Sequence, residues 1–244
     1  PYGPIVGGGG GGAAGLTVFF SSPLTIVDAA RVERPLELID AERECAMLLR
    51  ALRASGRPIN ASFHVGTPDS IRHALTLGAD AGVVHISGHG LQSPQALVLE
   101  DGAGGAHLLS AERLRALFAA GGTASALRLL VVNCCHSAAV ATEFVAAGVP
   151  HVVASPLQVH DAAAAVFTGA FYLALAVGRT IGAAFEIARE QVRVHPRLGA
   201  REAASFHLLP HDGDHAVAVW PGEARARALG GARGARAPAH PRAT

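Results

Sequence analysis

Cysteine is scarce in this chain: 244 residues contain three, Cys45, Cys134 and Cys135. Two of them are adjacent, which leaves no conventional disulfide framework and fits a reducing compartment and a cytoplasmic address. Net charge is nearly absent, with 20 Lys and Arg against 19 Asp and Glu. Neither a nucleic acid nor a membrane surface therefore has an electrostatic claim as partner. No stretch reaches the ~18 consecutive apolar residues of a membrane-spanning helix, and the start lacks a charged segment followed by an apolar one. Methionine is nearly missing too. The chain begins at Pro1, Met47 is its only methionine, and glycines fill positions 7–12. These features read as a fragment of a longer protein whose upstream domains are missing.

Half of the residues are apolar, enough for one substantial core. Residues 1–15 read as a Gly-rich flexible lead-in, 16–222 as the folded domain, and 223–244, rich in Ala, Arg, Gly and Pro, as a disordered tail.

Within the domain, short apolar runs alternate with amphipathic ones. Residues 16–20 read as a first strand, and Asp40 caps a helix running to about Ala54. Ile59, Ala61, Phe63 and Val65 alternate with polar residues as a second strand. Thr67 and Pro68 open a short helix that Gly78 closes. Residues 82–86 then form a buried strand that delivers Ser87-Gly88-His89-Gly90. A loop containing residues 101–105 leads to a helix capped by Ser110. The strand 127–132 follows and delivers Asn133-Cys134-Cys135-His136-Ser137. After it come a helix of small residues, a strand at 151–154 and a long apolar helix from Asp161 to about Val177. Residues 205–220 read as a hairpin across an Asp-Gly turn, at a sheet edge. The βαβ alternation implies an α/β fold with a mostly parallel central sheet.

In open α/β sheets, chemistry gathers outside the carboxyl ends of the strands, and His89 and Cys135 both follow apolar strands. A thiol with an ordinary pKa near ~8.5 is a poor nucleophile until an imidazole or a helix N-terminus favours its thiolate, and Cys135 is placed to have both. The glycines flanking His89 let the backbone turn sharply and leave room for a substrate. The backbone amides of Gly90 and Cys135 are the candidates for an oxyanion site. Cys134 competes with Cys135 for the role of nucleophile, but adjacent side chains at a strand end point to opposite sides, so only one of the two faces the cleft. His85, two residues behind Ser87, is a candidate contact to the substrate site, although a hydrogen-bonded core histidine is the commoner outcome at such a position. The runs Cys134-Cys135-His136 and His211-Asp212-Gly213-Asp214-His215 lack zinc-site spacing, and the second is explained by a polar turn. Residues 102–105 lack the ending of a phosphate loop.

The motifs His85-Ile86-Ser87-Gly88-His89-Gly90 and Val131-Val132-Asn133-Cys134-Cys135-His136-Ser137 resemble the His-Gly and Cys motifs of caspase-like cysteine peptidases. Residues 147–153, 159–161, 167–172 and 181–189 extend the resemblance to the CHAT domain, a caspase-like module often attached to tetratricopeptide repeats. So do Ser22-Pro23-Leu24 and the acidic helix bearing Glu42 and Glu44. The resemblance implies a three-layer α/β/α caspase-like fold and a cysteine endopeptidase with His89 as base and Cys135 as nucleophile. It also implies an upstream regulatory repeat domain, a protein or peptide substrate and no cofactor or metal.

Asn133, Asp161 and His85 are the expected substrate-side residues, Asp161 being equally suited to capping its helix. Around the nucleophile, Cys134-Cys135-His136-Ser137 is similar to metacaspases instead. Those enzymes carry an acid at the position of Asn133, which helps receive a basic P1 side chain, and the amide here weakens the case for Arg or Lys specificity. A catalytically idle scaffold for protein binding and a metacaspase-type Arg/Lys-specific peptidase are the competing readings.

Overall fold

The computed structural model describes residues 15–77, 82–155 and 161–221. The lead-in, all but its last residue, and the tail lie outside the described residues, as does Gly78. Among the described residues, eight strands form one sheet. Its main path places β10 (His207–Leu209), β9 (Val152–Ala154), β8 (Leu129–Cys134), β5 (Val83–Leu91), β1 (Gly15–Phe20) and β4 (Asn60–Val65) side by side in that order. All pairs along it are parallel except β10 with β9. A small antiparallel ribbon, β2 (Thr25–Val27) with β3 (Glu33–Pro35), stands apart.

Strand periodicity sorts the core into two layers. Leu16, Val18, Val83, Leu129 and Val131 face α1 (Ala41–Ala54), α5 (Asp161–Ala176) and α6 (Ile181–Arg193). Phe19, Val84, Ile86, Leu130 and Val132 face α2 (Pro68–Thr76), α3 (Ala111–Ala119) and α4 (Ala138–Ala146). Helices thus cover both faces of the parallel strands, as such strands require.

Local chemistry explains where the helices start. The Asp40 side chain accepts from the Arg43 amide, Thr67 and Ser70 form a reciprocal capping box with Pro68 at the first position, and Ser110 accepts from the Arg113 amide.

Three elements differ from the sequence reading. The segment after Leu91 is no loop but an antiparallel hairpin of β6 (Ala96–Glu100) and β7 (Ala106–Ser110). Only its turn is irregular, closed by Asp101 Oδ1 accepting from the amides of Ala103 and Gly105. Strand β5 does not stop at Ile86. Its last residues leave the parallel sheet and pair with β6, His89 opposite Val98 and Gly90 opposite Leu97. The expected hairpin at 205–220 is a single edge strand, β10. The second apolar run instead packs on α6, where the amides of Ile181 and Gly182 donate to the carbonyls of Val217 and His215. Pro210, directly after β10, has no amide with which to continue a ladder.

Candidate active site

The carboxyl ends of β5 and β8 form the floor of a cleft of about 290 Å³. Its walls are the segment 37–39, the start of α1 with Asp40, Arg43 and Glu44, and Ala164 and Ala165 of α5. His89 and Cys135 both line it. The register shows why: the last parallel pair between the two strands is Gly88 with Cys134, so His89, still on β5, and Cys135, the first residue after β8, come next after that pair. Strand parity sends Cys134 to the other face, where it is buried under α4. Burial raises its thiol pKa far above the ordinary value, helped by the charges of Cys135 and Glu44.

Cys135 lies in the turn between β8 and α4. The next residue, His136, has φ 54°, a left-handed conformation that costs a side-chain-bearing residue roughly 1–2 kcal/mol. Strain of this kind concentrates at functional turns. Ser137, the N-cap of α4, anchors the turn. Its Oγ donates toward the carbonyls of Val132 and Ser155 and accepts from the Ser155 amide at 3.0 Å.

His89 Nε2 lies 2.6 Å from the carbonyl oxygen of Glu37. A carbonyl only accepts, so Nε2 carries the hydrogen and Nδ1 of the neutral ring holds the lone pair. Nothing in the sequence motifs pointed to Glu37, because its contribution is a backbone atom delivered by a loop.

The glycines beside His89 have a reason other than turning. Neither has a positive φ. A Cβ on Gly88 would come within 2.9 Å of the Ser21 carbonyl oxygen, and a Cβ on Gly90 would overlap the carbonyl oxygen of Cys135. The backbones of β1, β5 and the nucleophile turn approach too closely for any side chain, and Gly90 is held directly against Cys135.

The substrate-side expectations divide. Asn133 lines the cleft but gives its Nδ2 hydrogen to Glu44 Oε1 at 2.6 Å. Asp161 begins α5, and its side chain lies outside the described residues. His85 does not border the substrate site, which removes it as a substrate contact; it is the hydrogen-bonded core histidine of the commoner reading. It is 0% exposed, wedged between Tyr172 OH at 3.0 Å from Nδ1 and Glu44 Oε1 at 3.1 Å from Nε2. Parity places it there, because 83, 85, 87 and 133 share the face covered by α1 and α5.

Glu44 is the residue the sequence reading missed. It occupies a core-facing position of α1, in phase with the buried Leu48, Ala51 and Leu52. An acid in that phase was the available signal. Burial alone would raise its pKa, but the His85 imidazole and hydrogen bonds from Ser87 and Asn133 outweigh burial and lower it.

Among the described residues, no three His, Cys, Asp or Glu side chains converge as a metal ion would need, and no helix is long and apolar enough to cross a membrane.

Comparison with known proteins agrees with this architecture. The family model of the CHAT domain matches residues 17–228. No curated protein matches the chain. Among solved structures, 18 chains match. One is the crystal structure of the Arg-specific cysteine proteinase gingipain R, at 14% sequence identity and a TM-score of 0.50, over 83% of this chain and 47% of that one. The chain thus spans about half the length of that structure. The shared fold is the three-layer caspase-like α/β arrangement with a mostly parallel sheet.

Proposed function

The chain belongs to the CHAT domain family of caspase-like cysteine peptidases, and on that premise we propose that it is a cysteine endopeptidase working through His89 and Cys135. The observation that carries the reading is the register: Gly88 with Cys134 is the last pair between β5 and β8, and the residue after each, His89 and Cys135, lines one cleft.

In this reading, His89 takes the Cys135 proton on Nδ1 while Nε2–H stays on the Glu37 carbonyl. The Cys135 sulfur bonds to the peptide carbonyl carbon, and the oxygen takes the negative charge. The amides of Cys135 and Gly90 are the groups assigned to receive that charge. The carbon–nitrogen bond breaks as His89 returns its proton to the leaving amine. Water, deprotonated by His89, then cleaves the thioester and regenerates the thiol. No step draws on a cofactor.

The substrate is a protein or peptide whose side chain enters beside Asn133, with Asp161 at the start of α5 as a further contact. The three cysteines, all free, support a reducing, cytoplasmic setting. Gating by an attached or separate repeat domain belongs to the same proposal and rests on the family resemblance.

A pooled fluorogenic peptide library, offered to the wild type and to Cys135→Ala and His89→Ala, tests the proposal. Cleavage abolished in both variants is the expected result. Cleavage that survives Cys135→Ala refutes it. A wild type whose Cys135 reacts with no peptide electrophile, with or without its neighbouring domains, favours the idle scaffold.

A further inference from the structure

Ser87 and Asn133 are register partners across β5 and β8, and each stands two residues before a member of the proposed dyad. One carboxylate spans them. Glu44 Oε2 accepts from Ser87 Oγ at 2.5 Å and Oε1 accepts from Asn133 Nδ2 at 2.6 Å. Behind Oε1 stands His85, itself backed by the Tyr172 hydroxyl. Three elements, α1, β5 and β8, thus meet at a single side chain, and α5 reaches it through His85.

A buried acid of this kind is a poor device for stability. Desolvating a carboxylate is expensive, and an apolar side chain in phase with Leu48, Ala51 and Leu52 would fill the same space at no such cost. What the carboxylate adds is directional. Its two oxygens fix where the ends of neighbouring strands lie, and buried polar groups that are fully satisfied specify a unique arrangement. Every described buried polar side-chain atom here has a partner. Glu44 lines the cleft, yet Oε1 already accepts twice and the side chain is 10% exposed. Its bonds go to the strands rather than outward.

Building on the peptidase reading, we infer that Glu44 is a positioning residue: it locks the carboxyl ends of β5 and β8 in register so that His89 stands opposite Cys135, and His85 with Tyr172 holds its far side. It acts on the dyad through Ser87 and Asn133 and touches no reacting atom.

Three measurements on the whole chain test this, using Glu44→Gln, which retains size, and Glu44→Ala, which removes the bridge. The first is amide hydrogen exchange. Protection at residues 87–90 and 133–136 falls in both variants, while Val84 and Val131 in the same strands stay protected. Unchanged exchange at the strand ends overturns the inference whether or not the protein is an enzyme.

The second is the rate at which iodoacetamide alkylates Cys135, followed by mass spectrometry across pH 5–9. Glu44→Gln lowers it at least about tenfold and shifts its pH profile, as His89→Ala does. Looser strand ends with an unaltered Cys135 rate mean a structural residue only, and overturn the inference while sparing the dyad. If wild-type Cys135 reacts no faster than Cys45 and ignores His89→Ala, the dyad itself is wrong and this inference falls with it.

The third uses peptides cleaved by the wild type with basic, apolar and acidic P1 residues. kcat falls alike for all three, with KM within about threefold. A loss confined to basic P1 makes Glu44 a substrate contact and overturns the positioning role.

Discussion

Replacing Gly90 by Ala adds one methyl group at the tightest backbone contact of the cleft. The new Cβ would overlap the carbonyl oxygen of Cys135, lie 3.1 Å from its carbonyl carbon and 3.4 Å from Cys134 Cβ. Two of these three atoms are backbone, so no rotamer change relieves them. Either the end of β5 or the nucleophile turn must move by more than ~1 Å, a displacement that near an active site lowers rates about 100-fold. Overpacking of this kind destabilises by roughly 1–3 kcal/mol. For a domain of this size that lowers Tm by about 2–12 °C. Gly88→Ala is the internal comparison, because its Cβ meets the Ser21 carbonyl oxygen at 2.9 Å and Ser21 Cβ at 3.2 Å, a smaller intrusion on a residue outside the dyad. The assay pairs peptide cleavage with thermal unfolding on both variants. Gly90→Ala is expected to lose the larger share of activity. A Gly90→Ala protein with wild-type rate and Tm would refute the claim that this contact sets the distance between the catalytic strands.

Three further outcomes follow from the same coordinates. In the native protein iodoacetamide should modify Cys135 and spare Cys134, which is buried with its thiol pKa raised; labelling of Cys134 before unfolding would contradict its placement. Glu44 has a lowered folded-state pKa, so its contribution to stability is present above the unfolded value of about 4.5 and is lost as pH falls through the folded one. Urea midpoints should therefore drop more between pH 6 and pH 3 for the wild type than for Glu44→Gln, and equal slopes would exclude an ionised, bonded Glu44. Arg57 donates to the carbonyls of Ala176, Trp220 and Pro221 at 2.8, 2.8 and 2.9 Å, tying the last described residues to α5. Arg57→Ala should cost about 2 kcal/mol and about 4–8 °C in Tm, with cleavage at low temperature unchanged; an unaltered Tm would show that these bonds only replace bonds to water.

What sequence alone determined here was local or periodic. Caps at Asp40, Thr67 and Ser110 sit at helix starts because a side-chain oxygen and an amide three residues on are enough to form them. Period-two alternation put Cys134 and Cys135 on opposite faces, because side chains on a strand alternate faces whatever surrounds them, and the family resemblance chose between the two. The two motifs after β5 and β8 were visible for the same reason, as the ends of apolar runs. The hairpin of β6 and β7 was not, since Ala96–Glu100 is apolar almost throughout and its pairing with the end of β5 is a long-range event that no local pattern encodes. Tertiary structure alone decided what the glycines beside His89 are for, that a Glu37 carbonyl meets the imidazole, and that Glu44 and Tyr172 are the partners of the buried His85. Each of these depends on segments far apart in the chain meeting in space, 87 residues apart for His85 and Tyr172. Such meetings are fixed by the packing of α1 and α5 on the sheet.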